Sequence, residues 1–190
     1  MDISKEDPRF NEFQNVKRRF FALRNGIITD TLHRGGDPHR IIFGLTLPQL
    51  REVADATPAD NALAAALWEN SSTRESRLLA PMLMDPEATT IETATAMAET
   101  VLGVEEADIL CHRLLRRLPF AMTLVDRYKD SDHDLLRYLA LRLMLNIIRE
   151  NPQKAMALSE AETARNCPLT RRLALQTADE ADFILQTPAT

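Results

Sequence analysis

The chain is expected to fold as an all-α solenoid, an α-α superhelix of paired helices, and three observations carry that expectation. Glycine occurs five times in 190 residues, too rarely for a turn-rich β fold. Ala, Leu, Glu and Arg are abundant, and no stretch alternates apolar and polar residues as a half-buried strand would. A short phrase also returns three times: Arg77-Leu78-Leu79-Ala80, Arg137-Tyr138-Leu139-Ala140 and Arg171-Arg172-Leu173-Ala174. One phrase repeated near the start of successive helical patterns points to related units that bury their apolar faces only against neighbours.

About ten helices are expected from periodicity and punctuation. The first covers much of Phe10 to Leu32, with Phe13, Val16, Phe20, Phe21 and Leu23 as its apolar stripe and Asn25-Gly26 as a candidate interruption. Gly35-Gly36-Asp37-Pro38 closes it with turn chemistry. Leu47-Pro48 opens the next helix, proline suiting the first turn, and Leu50, Val53 and Ala54 carry it toward Pro58. Ala59 to Trp68 follows. Ser72-Thr73-Arg74-Glu75 has the form of a capping box before Leu78, Leu79, Met82 and Leu83, and Pro81 should kink that helix. After Asp85-Pro86 come helices over Glu87–Glu99, Glu105–Leu118 and Pro119–Tyr128. Ser131-Asp132-His133-Asp134 offers a second capped start to a run in which Leu136, Leu139, Ala140, Leu143 and Ile147 recur at helical spacing. Pro152–Ala164 and Pro168–Leu185 form the last pair. The arginine phrase then marks the second helix of each hairpin.

At this length, with 45% hydrophobic residues, the chain can bury a core as one repeat domain over residues 1–190. No apolar run reaches the roughly 18 residues of a membrane span, and the segment Met1–Asp7 is polar and acidic, so a cytoplasmic protein with neither span nor secretory signal is expected. The two cysteines, Cys111 and Cys167, lack ligand spacing and read as reduced thiols buried like small apolar residues. No metal or cofactor is expected. The net charge of −5 argues against a uniformly basic surface but leaves room for local clusters, among them Lys17-Arg18-Arg19 and the set Arg113, Arg116 and Arg117.

Two segments stand out: Phe43-Gly44-Leu45-Thr46-Leu47-Pro48-Gln49-Leu50-Arg51, and Leu67-Trp68-Glu69 followed by Glu75-Ser76-Arg77-Leu78-Leu79-Ala80. The first is similar to the Gly, Pro and Leu-Arg motif, and the second to the Leu-Trp and Glu-x-Arg-x-x-Ala pattern, of a family they resemble, the AlkD-type DNA alkylation repair glycosylases built of HEAT-like helical repeats. The likeness runs from about Phe20 to Arg149. It implies a concave basic groove that holds duplex DNA, arginines on phosphates, aromatic rings against the lesion-bearing backbone, and a carboxylate that stabilises positive charge on the sugar or orients water.

The family's catalytic segment resembles Trp-Asp-x-x-Asp at the start of a helix. Aligned with Glu106-Ala107-Asp108-Ile109-Leu110-Cys111, it places Ala107 at the aromatic position, Asp108 at the first acid and Cys111 at the catalytic aspartate. Leu135 or Leu136 stands for a second tryptophan, and Arg137 matches the family's arginine. The expected function is therefore a base-excision-repair relative that binds duplex or branched DNA, its alkylpurine glycosylase activity weak or absent. One alternative is a non-catalytic scaffold with a protein partner, which the acidic balance favours. Another is an active glycosylase using Asp108 or a further carboxylate.

Arg77, Arg137 and Arg171 are candidates for a row of phosphate contacts. Equally, they suit pairing with carboxylates such as Glu75 and Asp134. Arg113 and Arg117 are further DNA-binding candidates. Arg34 and Arg40 flank the turn that also holds His33, Asp37 and His39, where a plain surface loop competes with a phosphate cradle and, behind it, a metal site. Glu105, Glu106 and Asp108 are explained as first-turn acids or as a substitute catalytic carboxylate. Cys111-His112 is no nucleophile pair, since adjacent helical residues point about 100° apart. Trp68 reads as core ahead of any lesion contact.

Overall fold

A computed structural model describes residues 8–187; Met1–Asp7, which bore on the secretory-signal expectation, lies outside the described residues. The all-α expectation is borne out, with eleven α-helices and two 3-10 turns among the described residues. The chain forms two compact units, Met1–Ala88 and Thr89–Thr190.

The first unit holds α1 (Pro8–Ala22), α2 (Gly26–Arg34), α3 (Leu47–Asp55), α4 (Asn61–Glu69) and α5 (Arg74–Leu83). The expected first helix is thus two: α1 ends at Ala22, and Asn25 caps the next, its side chain accepting from the N–H groups of Ile27 and Ile28. Val16, Phe20, Leu45, Leu50, Leu63, Leu67, Leu78 and Leu79 form the core, each removing from water about the 1.5–3 kcal/mol worth of surface a large apolar side chain carries. Helix α4 packs on α5, as the hairpin pairing requires, and α3 packs on α5 as well. The capping box expected at Ser72 does not form. Glu75 turns away from its helix end toward residues 43–45, and Ser72 Oγ donates to Asn70 instead. Pro81 lies inside α5, which ends two residues later.

The second unit holds α6 (Ile91–Glu99), α7 (Val104–Arg113), α8 (Ala121–Tyr128), α9 (Asp134–Asn146), α10 (Pro152–Arg165) and α11 (Arg171–Gln186). The expected helix to Leu118 stops at Arg113, and Leu115–Arg117 tighten into a 3-10 turn. Asn166 closes α10 in the left-handed conformation, which asparagine tolerates. Helices α8 and α9, and α10 and α11, pack as hairpins, with the arginine phrase in the second member of each; α9 also touches α6, α7, α10 and α11. That centrality explains its composition: Leu139, Ala140, Leu141, Leu143 and Met144 are all buried, which leaves little of its circumference for polar groups.

Candidate functional site

Helix α7 begins at Val104 behind Gly103, and its first turn carries Glu105 and Glu106. Glu106 is buried and its Oε2 accepts the N–H of Leu102 at 2.9 Å. It serves the helix end, as first-turn acids do. Asp108, one turn further, is different: its side chain is 38% exposed. Its Oδ1 accepts from the Tyr138 hydroxyl at 2.8 Å and from Arg142 Nε at 2.6 Å, and its Oδ2 takes a single longer contact, 3.3 Å, from Arg142 Nη2. The Arg142 fork also reaches the Tyr138 oxygen at 3.1 Å. Oδ2 therefore retains lone pairs for a further donor.

Tyr138 and Arg142 stand one turn apart on α9, so their side chains lie over the same stripe. Both line a groove of about 470 Å³ together with Val104, Leu169, Arg172 and Gln176. Burial pushes the Tyr138 phenol up and the Asp108 charge adds to this, so the hydroxyl keeps its proton and donates it in a hydrogen bond. Arg142 is raised by Tyr138 and Asp108 despite its burial, which works the other way. The result is a carboxylate oriented by two donors beside a groove with a cation at its rim, an arrangement able to face developing positive charge or to hold a water.

The arginines singled out in the sequence fall into two groups. Arg77 is 2% exposed. Its guanidinium lies 3.6 Å from the centre of the Trp68 ring and donates to the Trp68 carbonyl at 2.8 Å. Such burial leaves no face for a phosphate, so the expected DNA contact of Arg77 is corrected to an internal clasp, and Trp68 is the core residue expected. Arg137 has a side chain only 10% exposed, and it donates to Asp134, to Glu162 and to the Ser131 carbonyl. Its expected phosphate contact gives way to the pairing with Asp134 that was the other reading. Arg171 is exposed at the start of α11. Arg117 is exposed on the 3-10 turn and Arg113 is half-buried.

In the first unit Arg34 and Arg40 are exposed, with Arg34 Nε donating to the Asp30 carbonyl. Asp37 takes both the backbone N–H and the ring Nδ1 of His39, at 3.0 and 2.7 Å, and lies 3.8 Å from Arg74. His33 is exposed and outside this set. Among the described residues no three His, Cys, Asp or Glu side chains converge as metal ligands, and no helix is long and apolar enough to cross a membrane.

Cys111 does not stand where a catalytic group is needed. It is fully buried, its thiol points at the Leu139 carbonyl at 3.5 Å, and burial, with the Asp108 charge behind it, pushes its ionisation up. Sequence reasoning named Asp108 but missed Arg142, Tyr138 and Arg172. The available signal was Arg142 itself, a lone cation in the apolar run Leu139-Ala140-Leu141-Arg142-Leu143, one helical turn from Tyr138.

Residues 16–187 match the model of a family described as DNA alkylation repair enzyme, a stretch that includes every residue of the groove. No curated protein and no solved structure matches the chain.

Proposed function

Given that the chain belongs to the DNA alkylation repair enzyme family, we propose that it binds duplex DNA and releases N-alkylated purines, with Asp108 as the acting carboxylate. The observation that carries this reading is the Asp108–Tyr138–Arg142 constellation beside an accessible groove. An alkylated purine bears positive charge and leaves readily. As its bond to the sugar breaks, the electron pair departs with the base and cationic character develops at C1′. A carboxylate oxygen with spare lone pairs stabilises that charge, or accepts a proton from the water whose oxygen then bonds to C1′.

The start of α7 supports the assignment. Read from its first helical residue, the pattern Trp-Asp-x-x-Asp falls on Val104-Glu105-Glu106-Ala107-Asp108 and meets an acid at both acidic positions. The register through Cys111 puts a fully buried thiol in the catalytic place; in the register through Asp108 the expectation of weak or absent excision rests on the missing aromatics alone. Val104 supplies no ring at the aromatic position, and Tyr138 is the ring at the groove. Arg142, Arg172 and Arg171, with Arg113 and Arg117 further along, are the cations that hold the backbone.

The test is release of free base from an alkylated duplex by the wild-type protein and by Asp108→Asn, with binding to the same duplex measured in parallel. Excision that falls by about 100-fold while binding persists supports the assignment. Equal rates in the two proteins would remove Asp108 from the chemistry. A second reading, a non-catalytic scaffold, is favoured by the apolar side chains Leu175, Phe183 and Leu185 left exposed on α11 and by the net charge of −5. Failure of the wild-type protein to bind duplex DNA at low salt would select it.

A further inference from the structure

Helix α11 divides its circumference in two. Leu173, Ala174, Thr177 and Ala181 are buried against the helices it packs on. Arg172, Leu175, Gln176, Asp179, Asp182 and Phe183, following at steps of three and four, form an exposed stripe on the other side. Within it Leu175 is 49% and Phe183 66% exposed, two large apolar side chains left in water two turns apart.

The charges on this helix are segregated. Arg171 and Arg172 stand in its first turn, where the helix dipole disfavours cations, and Asp179, Glu180 and Asp182 stand in its second half. Opposite signs are therefore seven or more residues apart, beyond the three- and four-residue spacings at which side chains of one helix pair. None of the five forms an ion pair among the described residues, and Asp182 accepts from Gln186 Nε2 at 2.6 Å instead. At its basic end the stripe runs into the groove, which Arg172 and Gln176 line with Val104 and Leu169, both of them partly exposed apolar side chains.

We propose that α11 pairs with the α11 of a second copy of this chain, the two helices antiparallel and Phe183 of each seated at the mouth of the other's groove, between Leu169 and Arg172. Charge complementarity selects this occupant. A helix that is basic at one end and acidic toward the other matches its own reverse, and repels a parallel copy. With the twofold axis near Ala178, Arg172 lies within a turn of Asp182 of the partner subunit and directly beside Phe183 of the partner subunit, whose ring can face the guanidinium. Gln176 offers its amide to Asp179 of the partner subunit. Each contact occurs twice.

A helix of 16 residues is about 24 Å long, so one face of it buries less than the roughly 1,200 Å² of a stable interface and the pair is transient. This pairing does not depend on nucleic-acid binding, and it gives Arg172 a second partner: a duplex in the groove and a second copy over it exclude each other.

The experiment is sedimentation equilibrium of the full chain at low salt, from about 5 to about 500 µM protein, the range that brackets a transient pair. It compares the wild type with Arg172→Asp, Asp182→Arg and Phe183→Ala, each checked for its helical fold by circular dichroism. The wild type should pass from monomer to dimer. Arg172→Asp sets acid against acid and Asp182→Arg sets cation against cation, so each alone should weaken association by at least about tenfold. An equimolar mixture of the two restores opposite signs and should regain wild-type pairing. Phe183→Ala should weaken association by about tenfold. A wild type that stays monomeric throughout overturns the proposal, as does a mixture of the folded charge variants that associates no better than its components. Unaltered association of Phe183→Ala overturns the seating of the ring in the groove.

Discussion

Glu75 in the first unit and Asp108 in the second are both carboxylates touched by arginine, and they have opposite fates. Glu75 is fully buried and spends both oxygens on the chain itself: the N–H groups of Phe43, Gly44 and Leu45, and Arg74 Nη1. It fastens the segment before α3 to the start of α5, where Ile41 and Thr73 also form an isolated parallel bridge. Asp108 has donors from two side chains, substantial exposure and an oxygen with room for another partner. A carboxylate whose acceptor sites are filled by its own backbone holds the fold; one left partly open beside a groove is available for chemistry.

The same contrast divides the repeated arginines. Arg77 and Arg137 are consumed internally, while Arg171 projects from the start of its helix. The phrase marks a place in the hairpin, and what the arginine does there depends on what the neighbouring helix offers. In the second unit that offer is Glu162, buried and shared by Arg137, Arg165 and Thr170.

Five substitutions break or sharpen this division. The largest effect is expected for Glu75→Ala, which strands three backbone donors and Arg74 and should cost about 3–5 kcal/mol in chemical denaturation. Arg137→Ala leaves Glu162 without one of its cations, and a loss of about 2–3 kcal/mol is expected; a stable variant with impaired DNA binding would instead return Arg137 to the phosphate-contact role. Asp108→Asn should change stability by less than about 1 kcal/mol, so a Glu75-sized loss on denaturation would make it a second structural carboxylate. Gly44→Ala probes the loop that Glu75 holds: φ is +78°, and the added Cβ would meet the Asn25 carbonyl oxygen at 2.3 Å, so about 1–3 kcal/mol of destabilisation is expected by thermal melting. Arg171→Ala should be nearly silent, within about 0.5 kcal/mol, while its duplex affinity falls and its salt slope drops by about 0.9 in a titration.

The positions of the helices were largely legible because their causes are local: Pro48, Pro152 and Asn166 act within a turn of where they stand, and apolar spacing reveals which residues face inward. Errors arose where a local signal had a distant competitor. Ser72–Glu75 has the composition of a capping box, yet Glu75 finds better donors some thirty residues earlier in the chain. Asp108 was identifiable as an acid near a helix start. Its meaning depended on Arg142, 34 residues away on another helix.

By itself, then, the sequence determined an all-α repeat chain, the hairpin order and the family, since periodicity, breakers and motif spacing are properties of neighbouring residues. Tertiary structure alone decided which charges are consumed and which are open. The distinction between Glu75 and Asp108, or between Arg77 and Arg171, depends on the rotational phase of each helix and on the helix packed against it. A carboxylate or guanidinium is satisfied within about 3 Å, a distance set by packing and invisible to spacing along the chain.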